Sequence, residues 1–271
     1  MRLAFIGSGV MGEAIIAAVL QRRLTQPSDI TACDVVAQRR EHLSQAYGIT
    51  TAEHAADAIT GSDFIILAVK PQDFPTAARD LRGLLAAGQT VVSIMAGVSL
   101  AALHDGLGHH AIIRAMPNTP AQIGEGMTVW TATEAVSASA RENAHGILGA
   151  MGQELYVTEE KYVDMATAVS GSGPAFVFLV MEAMIDAAVH IGLRREMATE
   201  MVLQTVMGSA RYAQASGRHP ADLRNQVTSP GGTTAEGLLA LEEAGVRAAF
   251  AQAIIAAYER ARQLGGAAST P

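Results

Sequence analysis

The residues best suited to chemistry lie in one short segment near the end of the chain, Val227–Glu236, with the sequence VTSPGGTTAE. Pro230 fixes one φ angle, and the two glycines after it can take the positive φ values of a tight turn. Thr233 followed three residues later by Glu236 forms a capping box, in which each side chain bonds a free N–H group. This spacing predicts a helix that begins at about Thr233.

The same turn is suited to binding an anion. The free N–H groups of a first helical turn and the helix dipole both favour negative charge. If Thr233 is the cap, the hydroxyl of Thr234 is left free beside that anion. The alternative is a well-capped helix with no ligand, which capping chemistry alone would explain. The spacing by itself leaves both interpretations open.

A second motif, Gly7–Gly12 (GSGVMG), has the G-x-G-x-x-G pattern. It directly follows a short apolar run, Leu3–Ile6, and precedes a helical pattern. In dinucleotide-binding proteins the first glycine permits a tight turn, and the second lets the pyrophosphate approach the backbone. The third permits close packing of helix on strand. The pattern alone is weak evidence, but at the start of an alternating chain it predicts a dinucleotide site.

Asp34 ends the second predicted strand, 22 residues after Gly12. At this position a carboxylate accepts hydrogen bonds from the adenosine ribose of NAD and would repel the 2′-phosphate of NADP. Gln38, Arg39 and Arg40 follow within two helical turns. The arginines could bind that phosphate, or they could form a solvated helix face. These residues leave the choice between NADH and NADPH open.

Short β-branched runs alternate with helical patterns from the start of the chain to about Glu160, which predicts a parallel sheet covered by helices on both faces. Lys70 lies at the carboxyl edge of this sheet, where ligands bind in such folds, and Pro71 should keep it extended. The predicted strands are Leu3–Ile6, Ile30–Cys33, Phe64–Val69, Val91–Met95, Ala111–Ala115, Met127–Thr131 and Gln153–Val157. The predicted helices are Val10–Arg23, Val36–Tyr47, Phe74–Ala86, Leu100–Leu107 and Ser137–Met151.

After about Lys161 the strand signals end, and four long helices are predicted, with glycines at their C-terminal ends. One of them, Pro174–Ile191, is apolar on almost every side and must therefore be covered on every side. About a hundred helical residues are marginal for that task, which predicts a second subunit as the cover. The predicted helices are Pro174–Ile191, Arg194–Ala215, Thr233–Ala244 and Val246–Leu264, followed by a frayed tail, Gly265–Pro271.

Composition limits the possible partners and compartments. A net charge of −7 argues against nucleic acid or an anionic membrane as a partner. A long uncharged stretch, Met165–Met181, contains two glycines and a proline and ends at Glu182, so we do not expect a membrane span. The single cysteine, Cys33, excludes an internal disulfide framework and predicts a cytoplasmic protein.

Several common catalytic groups are missing. The eight histidines show no zinc-ligand spacing, so no metal site is predicted. No lysine follows Lys161, whereas β-hydroxyacid dehydrogenases, which share this two-part layout, use a lysine of the second domain as acid/base. The equivalent region here is Ser170–Pro174. A cyclic imine fits this absence, because it can be protonated before hydride arrives and needs mainly orientation and exclusion of water.

The chain resembles the pyrroline-5-carboxylate reductase family over essentially its whole length. The resemblance rests on five motifs that occur in the order found in that family. They are Gly7–Gly12, Ala68–Pro71 (AVKP), Arg114–Pro120 (RAMPNTP), Ser170–Ala175 (SGSGPA) and Thr228–Thr234 (TSPGGTT).

The resemblance implies an α/β chain with a Rossmann-type doubly wound sheet in residues 1–160. An all-α domain for dimerisation and substrate binding would follow in 161–271, with the active site completed across a dimer. Asp34 stands where many NADPH-preferring members of the family carry a small polar residue. The implied cofactor residues are Gly7, Ser8, Gly9, Val10, Met11, Gly12, Asp34, Ala68, Val69, Lys70, Pro71, Met95, Ala96 and Asn118. The implied substrate residues are Ser229, Gly231, Gly232, Thr233 and Thr234.

The resemblance further implies reduction of 1-pyrroline-5-carboxylate to L-proline with NADPH or NADH, with Thr234 as the catalytic residue beside the ring nitrogen. The expected partners are this imine and a second copy of the chain, in a homodimer or a larger homo-oligomer. One alternative is a β-hydroxyacid dehydrogenase, which the missing lysine disfavours. Another is a non-catalytic nucleotide-binding regulator, which the pairing of a glycine fingerprint with an anion-binding turn disfavours.

Overall fold

The computed structural model describes residues 1–264 and divides into two compact units. The first unit comprises Met1–Ser172 together with 256–264, and the second comprises Gly173–Ile255. The predicted frayed tail lies outside the described residues.

An eight-stranded sheet forms the centre of the first unit, in the order β3-β2-β1-β4-β5-β6-β7-β8. Neighbouring strands are parallel except β6 and β7, which are antiparallel. The strand order reverses between β1 and β4, which places a topological switch point there. The strands are β1 (Leu3–Ile6), β2 (Ile30–Cys33), β3 (Thr50–Ala52), β4 (Phe64–Leu67), β5 (Thr90–Ser93), β6 (Ile112–Met116), β7 (Gly126–Ala132) and β8 (Gly152–Tyr156).

Helices cover both faces of this sheet. Leu3 and Phe5 belong to one buried cluster, and Ala4 and Ile6 belong to the other, because successive strand residues point to opposite faces. Burial on both faces explains why β1 is an unbroken apolar run. The doubly wound α/β prediction is confirmed. The helices of this part are α1 (Val10–Gln21), α2 (Ala37–Tyr47), α3 (Ala55–Ile59), α4 (Phe74–Leu81), α5 (Leu100–Leu107), α6 (Ala138–Gly149) and α7 (Lys161–Ala166).

The structure differs from the predicted elements at several points. β3 and α3 were not predicted, because a three-residue edge strand with no buried residue and a five-residue helix carry almost no periodic signal. α4 ends at Leu81, five residues before the predicted end. The sheet is not wholly parallel, since β7 follows β6 after a short 3₁₀ turn, Thr119–Ile123, and returns beside it. Hydrophobic periodicity does not report strand direction.

The second unit contains no strand among its described residues, as predicted. Three of its helices, α8, α9 and α11, are followed within two residues by a glycine with positive φ, namely Gly192, Gly217 and Gly245. A helix that was not predicted, α10, occupies the stretch before the TSPGGTT motif. The helices are α8 (Gly173–His190), α9 (Arg195–Ser216), α10 (Pro220–Gln226), α11 (Thr233–Glu243) and α12 (Val246–Leu264), the last of which continues into the residues grouped with the first unit.

No residue of α8 is buried within one protomer, although the helix is apolar on almost every side. Phe178 is 56% exposed and Leu179 is 65% exposed. Within residues 1–264, one continuous helical run, Lys161–His190, is long and apolar enough to cross a membrane by length and composition alone. A short π-helix, Thr167–Gly171, interrupts that run.

Candidate active site

The Gly7–Gly12 loop joins β1 to α1 at the switch point of the sheet. Gly7 has φ +81°, and a Cβ on it would lie 2.9 Å from the backbone nitrogen of Val69. A Cβ on Gly12 would lie 3.0 Å from the Gly7 carbonyl oxygen. The first and third glycines are therefore required by the backbone itself, which confirms the structural part of the fingerprint.

Gly9 differs from the other two glycines, because a Cβ on it would meet open space. It is the N-cap of α1, it makes no side-chain capping bond, and the first hydrogen bond of this turn runs from Glu13 N to its carbonyl oxygen. The N–H groups of Val10, Met11 and Gly12 have no partner among the described residues. An open approach and three free donors at a helix N-terminus fit the pyrophosphate of a dinucleotide.

Asp34 lies beside this loop at the end of β2. Its Oδ2 accepts a hydrogen bond from Ser8 N at 2.9 Å, and its Oδ1 accepts one from Val36 N at 3.0 Å. Arg39 and Arg40 are each less than a quarter exposed, so they do not form the solvated face considered above. Both side chains fold back onto the protein, where they donate to backbone carbonyl oxygens and form ion pairs with glutamates.

The remaining predicted cofactor residues follow other strands at the same carboxyl edge. Ala68 and Val69 come after β4, and Lys70 is extended at φ −70° and ψ 148°, as Pro71 requires. The turn then continues into a 3₁₀ helix. Met95 and Ala96 come after β5, where Met95 is buried and Ala96 is partly buried.

Asn118 follows β6 at this edge, but its side chain is already bonded within the first unit. Its Nδ2 donates to the carbonyl oxygen of Ser170 at 3.0 Å, and its Oδ1 accepts from Met127 N at 2.8 Å. The amide therefore ties the start of β7 to the π-helix. The predicted contact of Asn118 with the cofactor stays a prediction.

The π-helix Thr167–Gly171 was not predicted, although its last two residues, Ser170 and Gly171, begin the SGSGPA motif. Ser172 N donates to the Thr167 carbonyl oxygen at 2.8 Å, a bond across five residues. Single π turns within helices occur frequently at functional sites. Gly171 packs against the side chain of Met116, since a Cβ on it would lie 2.9 Å from the flexible Cε of that residue. The two motifs are thus in direct contact.

Arg114 holds this region to the sheet and was not assigned a role from the sequence. The side chain is 2% exposed and donates to Glu160 Oε1 at 2.7 Å and to Asp164 Oδ1 at 2.5 Å. Glu160 also accepts a bond from Leu100 N at 2.7 Å. A buried arginine requires such partners. The sequence signal that could have identified this buried ion pair is an arginine within an otherwise apolar strand.

The Ser229–Thr234 turn, in the second unit, has the predicted shape but a different cap. Gly231 takes φ +65°, and Gly232 N bonds the Ser229 carbonyl oxygen at 3.1 Å, as in a type II turn with proline first. The prediction of Thr233 as the cap was wrong. Gly232 is the N-cap, with extended backbone, and no side chain caps the helix.

The physical reason for this difference is that the turn from Ser229 closes at Gly232. The Gly232 carbonyl oxygen already accepts the first bonds of the helix, from Ala235 N at 3.0 Å and Glu236 N at 3.3 Å, so the chain enters the helix one residue early. Thr233 and Thr234 become its first two residues, and their N–H groups have no partner among residues 1–264. The turn therefore combines two free N–H groups with three hydroxyls, which are donors suited to a carboxylate.

The residues that the structure describes hold no ionised thiol and no cluster of metal ligands. Burial raises the pKa of the Cys33 thiol to about 11, which keeps it protonated. No cluster of three or more His, Cys, Asp or Glu residues between Met1 and Leu264 could hold a metal ion.

Comparisons with known proteins match both the sheet-containing part and the helical part of the chain. The family model described as pyrroline-5-carboxylate reductase dimerisation matches residues 160–264. Another, described as NADP oxidoreductase, coenzyme F420-dependent, matches residues 2–97. A pyrroline-5-carboxylate reductase from Synechocystis sp. is 41% identical over 265 residues, which are 98% of each chain.

Two solved structures have the same fold over nearly their whole length. A pyrroline-5-carboxylate reductase from Coxiella burnetii is 33% identical with a TM-score of 0.89, covering 97% of this chain and 98% of that one. A pyrroline carboxylate reductase from Plasmodium falciparum, with NADP bound, is 28% identical with a TM-score of 0.90, covering 98% of both.

Proposed function

Because this chain belongs to the pyrroline-5-carboxylate reductase family, we propose that its Gly7–Gly12 loop holds the cofactor and its Ser229–Thr234 turn holds the substrate carboxylate. The chain is an oxidoreductase that reduces 1-pyrroline-5-carboxylate to proline with NADPH or NADH. The observation that carries the site assignment is the presence, in one chain, of two helix starts with unpaired N–H groups.

At the first of these helix starts, α1 directs three N–H groups toward a pyrophosphate, and the missing Cβ of Gly9 leaves room for it. When bound, the cofactor supplies the hydride for the C=N bond. We assign the rest of the cofactor contacts to residues at the carboxyl ends of β1, β2, β4, β5 and β6, which meet at the same edge. These are Gly7, Ser8, Gly9, Val10, Met11, Gly12, Asp34, Ala68, Val69, Lys70, Pro71, Met95, Ala96 and Asn118.

At the second helix start, the N–H groups of Thr233 and Thr234 bind the carboxylate, with Ser229, Gly231 and Gly232 shaping the turn around it. The Thr234 hydroxyl forms a hydrogen bond with the ring nitrogen and so orients it. Fixing the carboxylate and the nitrogen together orients the imine carbon, which is a large part of what this reaction requires of the protein.

The chain forms a homo-oligomer and acts on a small molecule. We propose that the assembly is a dimer or is built from dimers, with cofactor binding in residues 1–160 and dimerisation in 161–271. The net charge of −7 supports the absence of nucleic acid and membrane partners, and the reduced, buried Cys33 supports a cytoplasmic location.

The test of the turn compares 1-pyrroline-5-carboxylate with 1-pyrroline, which lacks the carboxylate. Both should be reduced, and kcat/KM for 1-pyrroline should be lower by about tenfold or more, since two charge-assisted hydrogen bonds are lost. Ser229→Ala removes one hydroxyl of the turn, so it should lower kcat/KM for 1-pyrroline-5-carboxylate and narrow the difference in kcat/KM between the two imines. Equal kcat/KM values for the two imines would contradict the carboxylate site, and no turnover by a folded, cofactor-binding sample would contradict the proposed active site.

A further inference from the structure

We propose that this reductase binds NADH more tightly than NADPH, because the chain after β2 presents a fixed carboxylate and two paired arginines to the adenosine ribose. The inference rests on the cofactor site proposed above and assigns Asp34, Arg39, Arg40 and Glu53 as the residues that determine its preference.

Asp34 cannot easily turn away from a ligand. Its two oxygens are held by Ser8 N at 2.9 Å and Val36 N at 3.0 Å, so the carboxylate is fixed at the rim of the glycine loop. Each oxygen keeps a lone pair that a ribose hydroxyl can use as acceptor. The 2′-phosphate of NADPH would instead place about two negative charges beside it.

Arg39 is directed toward the glycine loop. Its Nε donates to the Ser8 carbonyl oxygen at 2.5 Å, a terminal nitrogen reaches the Gly9 carbonyl oxygen at 3.3 Å, and the guanidinium pairs with Glu13. Glu13 is itself held by His42 Nε2 at 2.8 Å and the Tyr47 hydroxyl at 2.9 Å. Arg39 therefore supports the loop.

Glu13 remains charged in this arrangement. Partial burial alone raises the pKa of its carboxyl group, but hydrogen bonds from His42, Arg39 and Tyr47 outweigh burial and leave the pKa below its usual value. The partner of Arg39 is thus an ionised carboxylate at neutral pH. Freeing Arg39 for a phosphate would leave that charge unpaired.

Arg40 is similarly occupied. One terminal nitrogen donates to the Asp34 carbonyl oxygen at 2.7 Å, and the other pairs with Glu53 Oε2 at 3.0 Å. Its side chain is 19% exposed, whereas that of Glu53 is 61% exposed. Glu53 is the weaker of the two anchors, so a phosphate would have to displace this carboxylate to reach Arg40.

The net charge of these side chains is negative, which disfavours binding of a phosphate. Asp34, Glu13 and Glu53 contribute three negative charges, and the two arginines contribute two positive charges. The loop residues between them, Val35 and Val36, are apolar and exposed. A ribose with free hydroxyls meets an acceptor here, and a phosphorylated ribose meets net repulsion.

The experiment measures dissociation constants of NADH and NADPH by calorimetry or by nucleotide fluorescence, without imine substrate. Wild type should bind NADH about tenfold more tightly or better, the discrimination that 1.4 kcal/mol provides. Asp34→Ser should reduce or reverse this ratio, chiefly through tighter NADPH binding. Glu53→Gln should move the ratio in the same direction by less, because it only frees Arg40.

The matched control is Asp105→Asn, which removes one negative charge from an exposed position on α5 and should leave the ratio unchanged. Equal binding, or tighter binding of NADPH by wild type, would overturn the inference, as would an unchanged ratio in Asp34→Ser. A folded protein that binds neither nucleotide would instead refute the cofactor site, and the inference with it.

Discussion

Two adjacent threonines at the start of α11 differ in their exposure, and neither side chain is bonded within the described residues. Thr233 is exposed and makes no capping bond, because Gly232 occupies the N-cap position. Thr234 is partly buried and its hydroxyl has no partner among the described residues. Neither side chain is needed to start the helix, so both are available to a ligand.

We expect Thr234→Ala to lower kcat/KM for 1-pyrroline-5-carboxylate roughly 10²–10³-fold, by analogy with the loss of one oriented donor to a reacting group. NADH affinity and the free energy of unfolding should stay close to wild type. Steady-state kinetics, nucleotide titration and urea unfolding provide the three measurements.

Thr233→Ala is the matched control. It should raise KM more than it lowers kcat, and change the free energy of unfolding by about 0.5 kcal/mol or less. Equal losses of kcat in the two variants would show that Thr234 has no special role at the ring nitrogen.

At the scale of elements, one buried arginine connects β6 to α7. Arg114 bonds Glu160, which precedes α7, and Asp164 within it. The chain continues from α7 into the π-helix, whose Ser170 carbonyl oxygen accepts from Asn118. The position of this motif therefore depends on charge pairing as well as on apolar packing.

We expect Arg114→Met to destabilise the protein by about 2–4 kcal/mol, near the lower end of the loss for a buried pair, because both carboxylates reach solvent. Urea unfolding measures the loss. Combining it with Glu160→Gln and Asp164→Asn should recover part of it, since no unpaired carboxylate remains.

Arg79→Met on α4 is the control for loss of an arginine, because Arg79 is exposed and, among residues 1–264, its side chain bonds only Thr76. The free energy of unfolding of this variant should stay close to that of wild type. If Arg79→Met and Arg114→Met had the same effect, the pairing of Arg114 would not be what stabilises this connection.

For the whole molecule, the apolar surface of the second unit is the dominant feature. Leu179 lines two grooves, one of about 690 Å³ on the α9 side and one of about 270 Å³ against α12. Such a surface on a single protomer is typical of a protein interface. It accords with the match of this region to a dimerisation family.

We expect Leu179→Arg to shift the protein toward smaller species in light scattering, because an interface leaves a buried guanidinium without a partner. Leu84→Arg, at a 51% exposed position in the first unit, should keep the wild-type mass. A Leu179→Arg protein of unchanged mass, measured at several concentrations, would show that α8 lies outside the interface.

The sequence by itself determined the doubly wound sheet, the helical second part, the glycine fingerprint and the positive φ at Gly231. These depend on local rules, namely hydrophobic period, strand length and the backbone freedom of glycine. For the same reason β3 and α10 were missed, since short elements with few buried residues leave little periodic signal.

Only the tertiary structure decided which groups are already bonded. The N-cap is Gly232 and not Thr233, because the turn from Ser229 closes at Gly232, whose carbonyl oxygen accepts the first bonds of the helix. The amide of Asn118 and the guanidinium of Arg39 looked free in the sequence, yet each is paired with residues distant in the chain. Hydrogen bonds form between atoms that the fold brings within about 3 Å, and sequence spacing does not contain those distances.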